Sequence, residues 1–428
     1  MKFIGDFHIH SKYSRATSKQ MDPEDLDKWA QTKGIKVIGS GDFTHPDWFK
    51  NLREKLEPAE EGLYKLSTKY QTSNTKQTTR FILTAEISCI YTKNNKVRKV
   101  HHLVLAPDFK TVEKINTQLS WVGNLRSDGR PILGLDSKEL LKIVLDSSPD
   151  CMLIPAHIWT PWFGVFGSKS GFDSLEECFE DLTSYIYCIE TGLSSDPPMN
   201  WRLSALDNIT LISNSDAHSC LKIGREANVF EGGELNYKSI IEAIKNGGRS
   251  TNANCRLVST IEFFPEEGKY HFDGHRTCGL RLSPQERKKY GGMCPNCGRP
   301  LTVGVLSRVD DLADRPEGEK PPNAVPYVSL VPLNEIIGKV FSKDSYTRAV
   351  MEEYQKLILA FGSEFEVLME TPIEEISQVS PEVAEGIKKI REKKIKVLPG
   401  FDGEFGKVQI LEEEEEDKIK KSNQETLF

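Results

Sequence analysis

Six short apolar runs in the first 220 residues each carry a side chain that apolar runs ordinarily exclude. They are "DFHIH" with His8 and His10, "GSGD" with Asp42 and then His45, and "LTAEIS" with Glu86. "VHHLV" with His101 and His102, "LIPAHIW" with His157, and "ISNSDAHS" with Asp216 and His218 complete the set. Burying one such polar group without a partner costs roughly 2–7 kcal/mol. One buried histidine is ordinarily a satisfied core residue. Six runs repeating the pattern need a shared solution, and a metal cluster offsets the cost for all of them together. Residues i and i+2 of a strand share a face, so His8 with His10, and Asp216 with His218, each clamp one edge of such a site.

The intervening sequence sets the architecture. "KFIGDFHIH", "IKVIGSGD", "RFILTAEIS", "KVHHLVLAP", "CMLIPAHIW", "IYCIETG" and "ITLISNSDAH" read as strands. "DPEDLDKWAQTKG" reads as a helix capped by Asp22, with Pro23 at its first position and Gly34 past its end. "FKTVEKINTQLSWV" and "SKELLKIVLDSS" are further helices. This alternation predicts a parallel α/β unit over 1–252, open or closed, with its chemistry at the C-terminal strand ends. Residues 253–306 are polar and glycine-rich and hold the clustered cysteines. Residues 307–411 are helix-rich and end in a glycine-turned hairpin, "LPGFDGEFGKVQI". The stretch 412–428 opens with "EEEEED" and is expected to be a flexible acidic tail.

A chain of 428 residues suits two or three domains. No apolar run approaches the roughly 18 residues that span a bilayer, and no leader pattern opens the chain. An intracellular, cytoplasmic protein without a membrane partner is therefore expected. The net charge of −7 excludes a global attraction to nucleic acid, so any such surface must be local.

Mixed nitrogen and oxygen donors favour zinc, manganese or iron over calcium. A cluster this rich holds two or three divalent ions, with zinc, manganese or magnesium as the expected complement, and such ions serve phosphoester hydrolysis. A second metal site is read from "HRTC", fifteen residues, then "CPNC". His275, Cys278, Cys294 and Cys297 would close a tetrahedron around one structural zinc. His271 competes with His275 at poorer spacing. Around them Arg276, Arg281, Arg287, Lys288, Lys289 and Arg299 outnumber Asp273 and Glu286, a local phosphate-contact surface.

In order, "HIH", "GDFTH", "AEI", "HHLVLAPD", "PAHIW" and "SDAH" resemble the polymerase and histidinol phosphatase (PHP) superfamily over residues 1–250. The resemblance implies a distorted (β/α)7 barrel binding up to three metals and hydrolysing phosphoesters. It implies His8, His10, Glu86, His102, His157, Asp216 and His218 as ligands. His102 is preferred to His101 because "HLVLAPD" fits the superfamily's strand better; the two alternate faces, so one points inward. Phe43 stands where the superfamily often has histidine, which leaves Asp42 or His45 for the third metal position.

Extended through "CPNCGRPLTVGVLSRVDDLADR" and "VPYVSLVPLNEIIG", the chain is similar to the endonuclease Q family. That similarity implies a DNA-repair nuclease acting 5′ of uracil, hypoxanthine, xanthine and abasic sites. Trp159, Trp162, Phe163 and Phe166, beside Lys169, are read as a stacking wall or wedge, and a packed loop is the plain reading. Arg276 and Arg281 are read as DNA contacts, and the helix-rich 307–411 as a DNA-binding domain. Asp196, near Asn200 in "ETGLSSDPPMNWR", is a candidate general acid or a solvated turn residue. "QETLF" resembles a sliding-clamp-binding peptide anchored by Gln424, Leu427 and Phe428. Against these stand a small-molecule phosphatase, which needs no zinc module, a DNA-binding scaffold with a dead metal barrel, which would have lost ligands, and an exonuclease.

Overall fold

The computed structural model describes residues 1–71, 79–249 and 254–410. The tail with Gln424, Leu427 and Phe428 lies outside the described residues. Seven strands organise the first part: β1 (Lys2–Asp6), β2 (Val37–Gly39), β3 (Arg80–Lys93), β4 (Lys96–Ala106), β5 (Met152–Pro155), β6 (Cys188–Glu190) and β7 (Thr210–Ile212). One buried cluster takes Phe3, Val37, Ile82, Leu105, Ile154, Cys188 and Ile212 from them in turn. The strand order also returns to its start. Ile9 bridges Ala217, and the Phe7 N–H donates to Asn214 Oδ1 at 2.9 Å. The Ile158 N–H donates to the Glu190 carbonyl at 3.0 Å, joining the ends of β5 and β6.

The expectation of an all-parallel unit needs correction. β1–β2, β2–β3 and β6–β7 are parallel, but β3–β4 and β4–β5 are antiparallel. Asn94 and Asn95, at φ 53° and 57°, turn β3 directly into β4. A turn that tight leaves no room for a crossover helix, so the partner strand must run back. The helix Pro23–Lys33 forms as read, with Asp22 accepting from the Asp25 N–H and Gly34 at φ 90°.

The main sheet runs on past residue 252. β8 (Ala227–Gly232) runs antiparallel to β1, and β9 (Cys255–Glu262) runs antiparallel to β8. The strand Tyr327–Ser329 then adds parallel to β9. The main sheet therefore draws on residues assigned to both later regions. What remains of 253–306 is a small module with an antiparallel pair, Asp273–His275 and Leu280–Leu282, and the helix Pro284–Lys289. The hairpin Lys396–Leu398 with Lys407–Gln409 forms as expected. It docks on that module through the Phe272–Phe401 bridge and a 2.6 Å hydrogen bond from Thr302 to Asp402. Among the described residues no helix is long and apolar enough to cross a membrane.

Candidate metal centre

Most of the chemistry-bearing residues lie just past strand ends, while Glu86 and His101 lie inside β3 and β4. His8 and His10 follow β1, His157 follows β5, and Asp216 and His218 follow β7. Three of the local residues hold a left-handed backbone that side chains rarely adopt: Asp42 at φ 49°, His157 at φ 28° and Asp216 at φ 46°. Gly192, after β6, has no Cβ because one would sit 2.6 Å from the His157 Cβ.

Glu86 is the hub. Its Oε2 lies 3.2 Å from His10 Nε2 and 3.6 Å from His8 Nε2. Its Oε1 lies 2.7 Å from His101 Nδ1 and 3.0 Å from His157 Nε2. Asp216 Oδ1 adds contacts of 3.0 Å to His10 Nε2 and 3.7 Å to His8 Nε2. Two ligand groups result, His8–His10–Glu86–Asp216 and Glu86–His101–His157, sharing one carboxylate. His8 Nε2 is buried without a hydrogen-bond partner although it faces two carboxylates. A divalent cation satisfies that donor set of imidazoles and carboxylates, so the residues fit such an ion.

The surrounding carboxylates favour positive charge at the site. Burial pushes His8 down, yet Glu190 and Glu86 hold it well above the usual imidazole range. Burial pushes Glu86 up, but His101, Arg130 and His8 hold it well below the usual carboxylate range. Burial brings His101 down to about 4, so its imidazole is neutral, as ligation requires.

Several expectations change here. His101 faces the cluster and His102 does not. His102 Nε2 meets Ser137 Oγ at 2.8 Å and its ring packs edge-on against Phe179. The faces alternate as strand geometry demands, but in the opposite phase to the one expected. Asp42 joins neither ligand group. Its Oδ1 meets His10 Nδ1 at 3.1 Å, and its Oδ2 accepts from Ser11 N–H, Ser11 Oγ and Ser14 Oγ at 2.6–2.8 Å. It therefore orients His10. His45 caps the helix Pro46–Lys55 and stacks on Tyr13. Phe43 is fully buried. His218 lies beside the first group, its ring 4.3 Å from that of His10.

Two residues went unread. Glu190 meets His8 Nδ1 at 3.0 Å and accepts from the His157 N–H at 2.8 Å. The signal was present, because "IYCIETG" also ends an apolar strand on a carboxylate. Arg130 reaches Glu86 Oε2 at 2.9 Å from a loop with no such pattern.

Asp196 caps the short helix Pro197–Trp201, accepting from the Met199 N–H at 3.0 Å. No hydrogen bond links it to the cluster, and burial raises it to about 6. The aromatic loop divides. Trp159 and Phe166 are buried against each other, and Trp159 Nε1 donates to Asn200. They are core residues here, not a stacking wall. Trp162 and Lys169 are exposed. Phe163 packs on His101 at 4.2 Å.

His275, Cys278, Cys294 and Cys297 present ligand atoms within 4.8 Å of one another. A tetrahedral ion with bonds of about 2.0–2.3 Å places its ligands roughly 3.3–3.8 Å apart, inside that limit. The basic surface around them is weaker than the local count implied. Arg287 pairs with Asp311 at 3.0 Å, Lys288 with Asp310, and Arg276 with Glu404 at 3.5 Å. Those acids are distant in sequence, so counting within the segment missed them. Arg281 is exposed and donates to the Pro399 carbonyl.

Residues 332–394 match the family model described as the MJ0043 C-terminal domain. The chain is 36% identical over 259 residues to the uncharacterized protein MJ0043 of Methanocaldococcus jannaschii, covering 59% of this chain and 31% of that protein. The chain thus spans under a third of that relative's length. It is 29% identical over 425 residues to the uncharacterized protein YqxK of Bacillus subtilis, covering 95% and 99% of the two. The fold is similar to the crystal structure of the lesion-specific endonuclease PfuEndoQ from Pyrococcus furiosus, with TM-score 0.84, 33% identity and 96% of each chain covered. It is similar also to endonuclease Q in complex with a 27-mer duplex carrying an abasic lesion at the active site, with TM-score 0.82, 32% identity and 97% and 98% covered.

Proposed function

This chain belongs to the endonuclease Q family, and from that premise we propose that it is a metal-dependent DNA-repair endonuclease. It hydrolyses the phosphodiester on the 5′ side of deaminated bases and abasic sites, leaving a 3′-hydroxyl and a 5′-phosphate. The proposal reads the seven strands as a PHP-type barrel, with two or three divalent ions in the cluster and a structural zinc in the module. It places the protein with the chromosome inside the cell. A sliding-clamp contact through Gln424, Leu427 and Phe428 is part of the same proposal.

One observation carries it: Glu86 joins two ligand groups, one through each oxygen. Ions held there supply Lewis-acid polarisation of a scissile phosphate and activation of water. The remaining work falls to the chain's own residues. Glu190 and Asp42 fix the rings of His8 and His10 through their Nδ1 atoms, which turns each Nε2 toward the cluster. Arg130, only partly buried beside Glu86, offers guanidinium N–H groups to a phosphate oxygen. Trp162 and Lys169 stand on the loop that leaves His157, where an unstacked nucleotide and its phosphate would pass.

The test uses end-labelled oligonucleotides with one deoxyuridine, deoxyinosine or abasic site, or none, plus a divalent metal. A single nick 5′ of the lesion, absent when His8→Ala and Asp216→Asn are combined, is expected. Phosphate release from small phosphomonoesters without lesion-dependent nicking would replace this reading with the phosphatase. Lesion binding without cutting would replace it with the scaffold.

A further inference from the structure

We infer that an aromatic row running outward from the candidate metal centre, Phe163, Trp162, Tyr270 and then Phe405, is a DNA-stacking surface, with Phe405 on the C-terminal hairpin as its outer wedge. The inference rests on the nuclease reading and deepens it, because it assigns the helical region's hairpin to the substrate.

Ring contacts and chain neighbours link the row. Phe163 lies on His101 at 4.2 Å, so it touches the cluster itself. Its neighbour Trp162 is 41% exposed and meets Tyr270 edge-on at 5.6 Å. Next to Tyr270, Lys269 holds its Nζ 4.4 Å from the centroid of Phe405. Phe405 is 70% exposed. A single exposed aromatic residue is ordinary on a protein surface. This one differs in its support and in its surroundings.

The support is rigid. The hairpin tip is tied to the segment beneath the row by backbone hydrogen bonds. Gly400 N–H donates to the Glu266 carbonyl at 2.7 Å, Gly403 N–H to Lys269 at 3.0 Å, and Gly406 N–H to Glu267 at 3.1 Å. Gly406 and Gly400 allow this approach, because a Cβ on either would lie within 2.5 Å of a backbone oxygen. Phe401, on the same tip, bridges Phe272 through its backbone and lays its ring against Gly274. The tip therefore holds one aromatic ring in the module and presents the other outward. A pre-held ring loses little entropy on binding.

Exposed cations accompany the row. Lys169 and Lys269 lie on the segments that carry Trp162 and Tyr270, and Arg276 and Arg281 reach the hairpin at Asp402 and Pro399. The tip's own acids are Glu404, 3.5 Å from Arg276, and Asp402, which accepts from Thr302 and from the Arg276 N–H. Exposed rings among cations match nucleobases between phosphates, the combination by which proteins track and unstack DNA. An acidic protein partner would use the cations but leave the exposed rings without a role.

The test compares the full-length wild type with Phe405→Ala, Phe405→Trp and Leu359→Ala. Leu359 is an 85% exposed residue on the helix Arg348–Phe361 and serves as control. Substrates are a lesion duplex with 2-aminopurine beside the lesion, and the same lesion strand alone. Phe405→Ala is expected to raise KM on the duplex about tenfold, the loss of one base–aromatic stack. It is expected to reduce the 2-aminopurine signal on binding by at least half, with a smaller effect on the single strand. Phe405→Trp restores both, and Leu359→Ala behaves as wild type. A wild type that nicks the lesion while Phe405→Ala keeps its KM and signal overturns the inference and leaves the nuclease reading standing. A loss that Phe405→Trp does not restore, or that follows a lowered Tm, overturns it as a merely structural role. Lesion DNA neither bound nor cut by the wild type removes the nuclease reading and this inference with it.

Discussion

The Glu190 carboxylate meets Nδ1 of His8 through both of its oxygens, each at 3.0 Å. That contact commits Nδ1, so His8 faces the cluster through Nε2. Outer partners of this kind typically alter metal affinity or activity about 10–100-fold. Glu190→Gln is therefore expected to lower metal affinity and nicking in that range. Calorimetric titration of the metal-free protein and nicking rates check it.

His101 and His102 separate a ligand from a packing residue. His101→Ala is expected to reduce bound metal and to abolish most nicking while leaving Tm nearly unchanged. His102→Ala removes a buried ring bonded to Ser137 and packed on Phe179. It is expected to lower Tm by several degrees and to leave metal content at the wild-type level. Elemental analysis beside thermal melts distinguishes the two.

Arg130 is partly buried and bonded to Glu86. Removing one preorganised donor to a developing oxyanion typically costs about 10²–10³ in kcat. Arg130→Ala is expected to fall in that range, with a smaller change in KM. Arg130→Lys should recover part of kcat, because it keeps the charge but not the fork of donors.

Bonded to Thr191, Ser213 and Thr260, Glu262 is fully buried, and burial together with nearby Asp196 outweighs these hydroxyl donors, raising it from 4.5 to about 7. The folded state then holds a proton that the unfolded state has lost between those values. Stability on this account is full below about 4.5 and declines as pH rises to about 7. Glu262→Gln removes the charge and is expected to raise Tm at pH 8 relative to wild type by more than at pH 5. Melts at the two pH values decide it.

For the module, one zinc per chain is expected beyond the ions of the cluster. Cys294→Ser with Cys297→Ser should release it, and strong chelation should melt the module, because metal binding and local folding are coupled. Release measured with a zinc-sensitive dye, with near-ultraviolet circular dichroism alongside, provides the check.

The sequence by itself determined which residue types gather at this site. Apolar strands that carry His, Asp or Glu can bury those groups only if they meet, so the pattern marked His8, His10, Glu86, His157 and Asp216 together. The spacing of His275, Cys278, Cys294 and Cys297 marked the second group in the same way, and "IYCIETG" carried the mark for Glu190. Tertiary structure alone decided the rest. Which of His101 and His102 turns inward depends on the register of β4 against β3 and β5, and a one-residue change of phase reverses it. Asp42 became an orienting group because its oxygens are claimed by Ser11, Ser14 and His10. Arg130 reached Glu86 across a loop without periodicity, and Asp310 and Asp311 met the module's cations from outside its segment. Local patterns record what a residue must be buried with; its partner is chosen by the path of the chain between them.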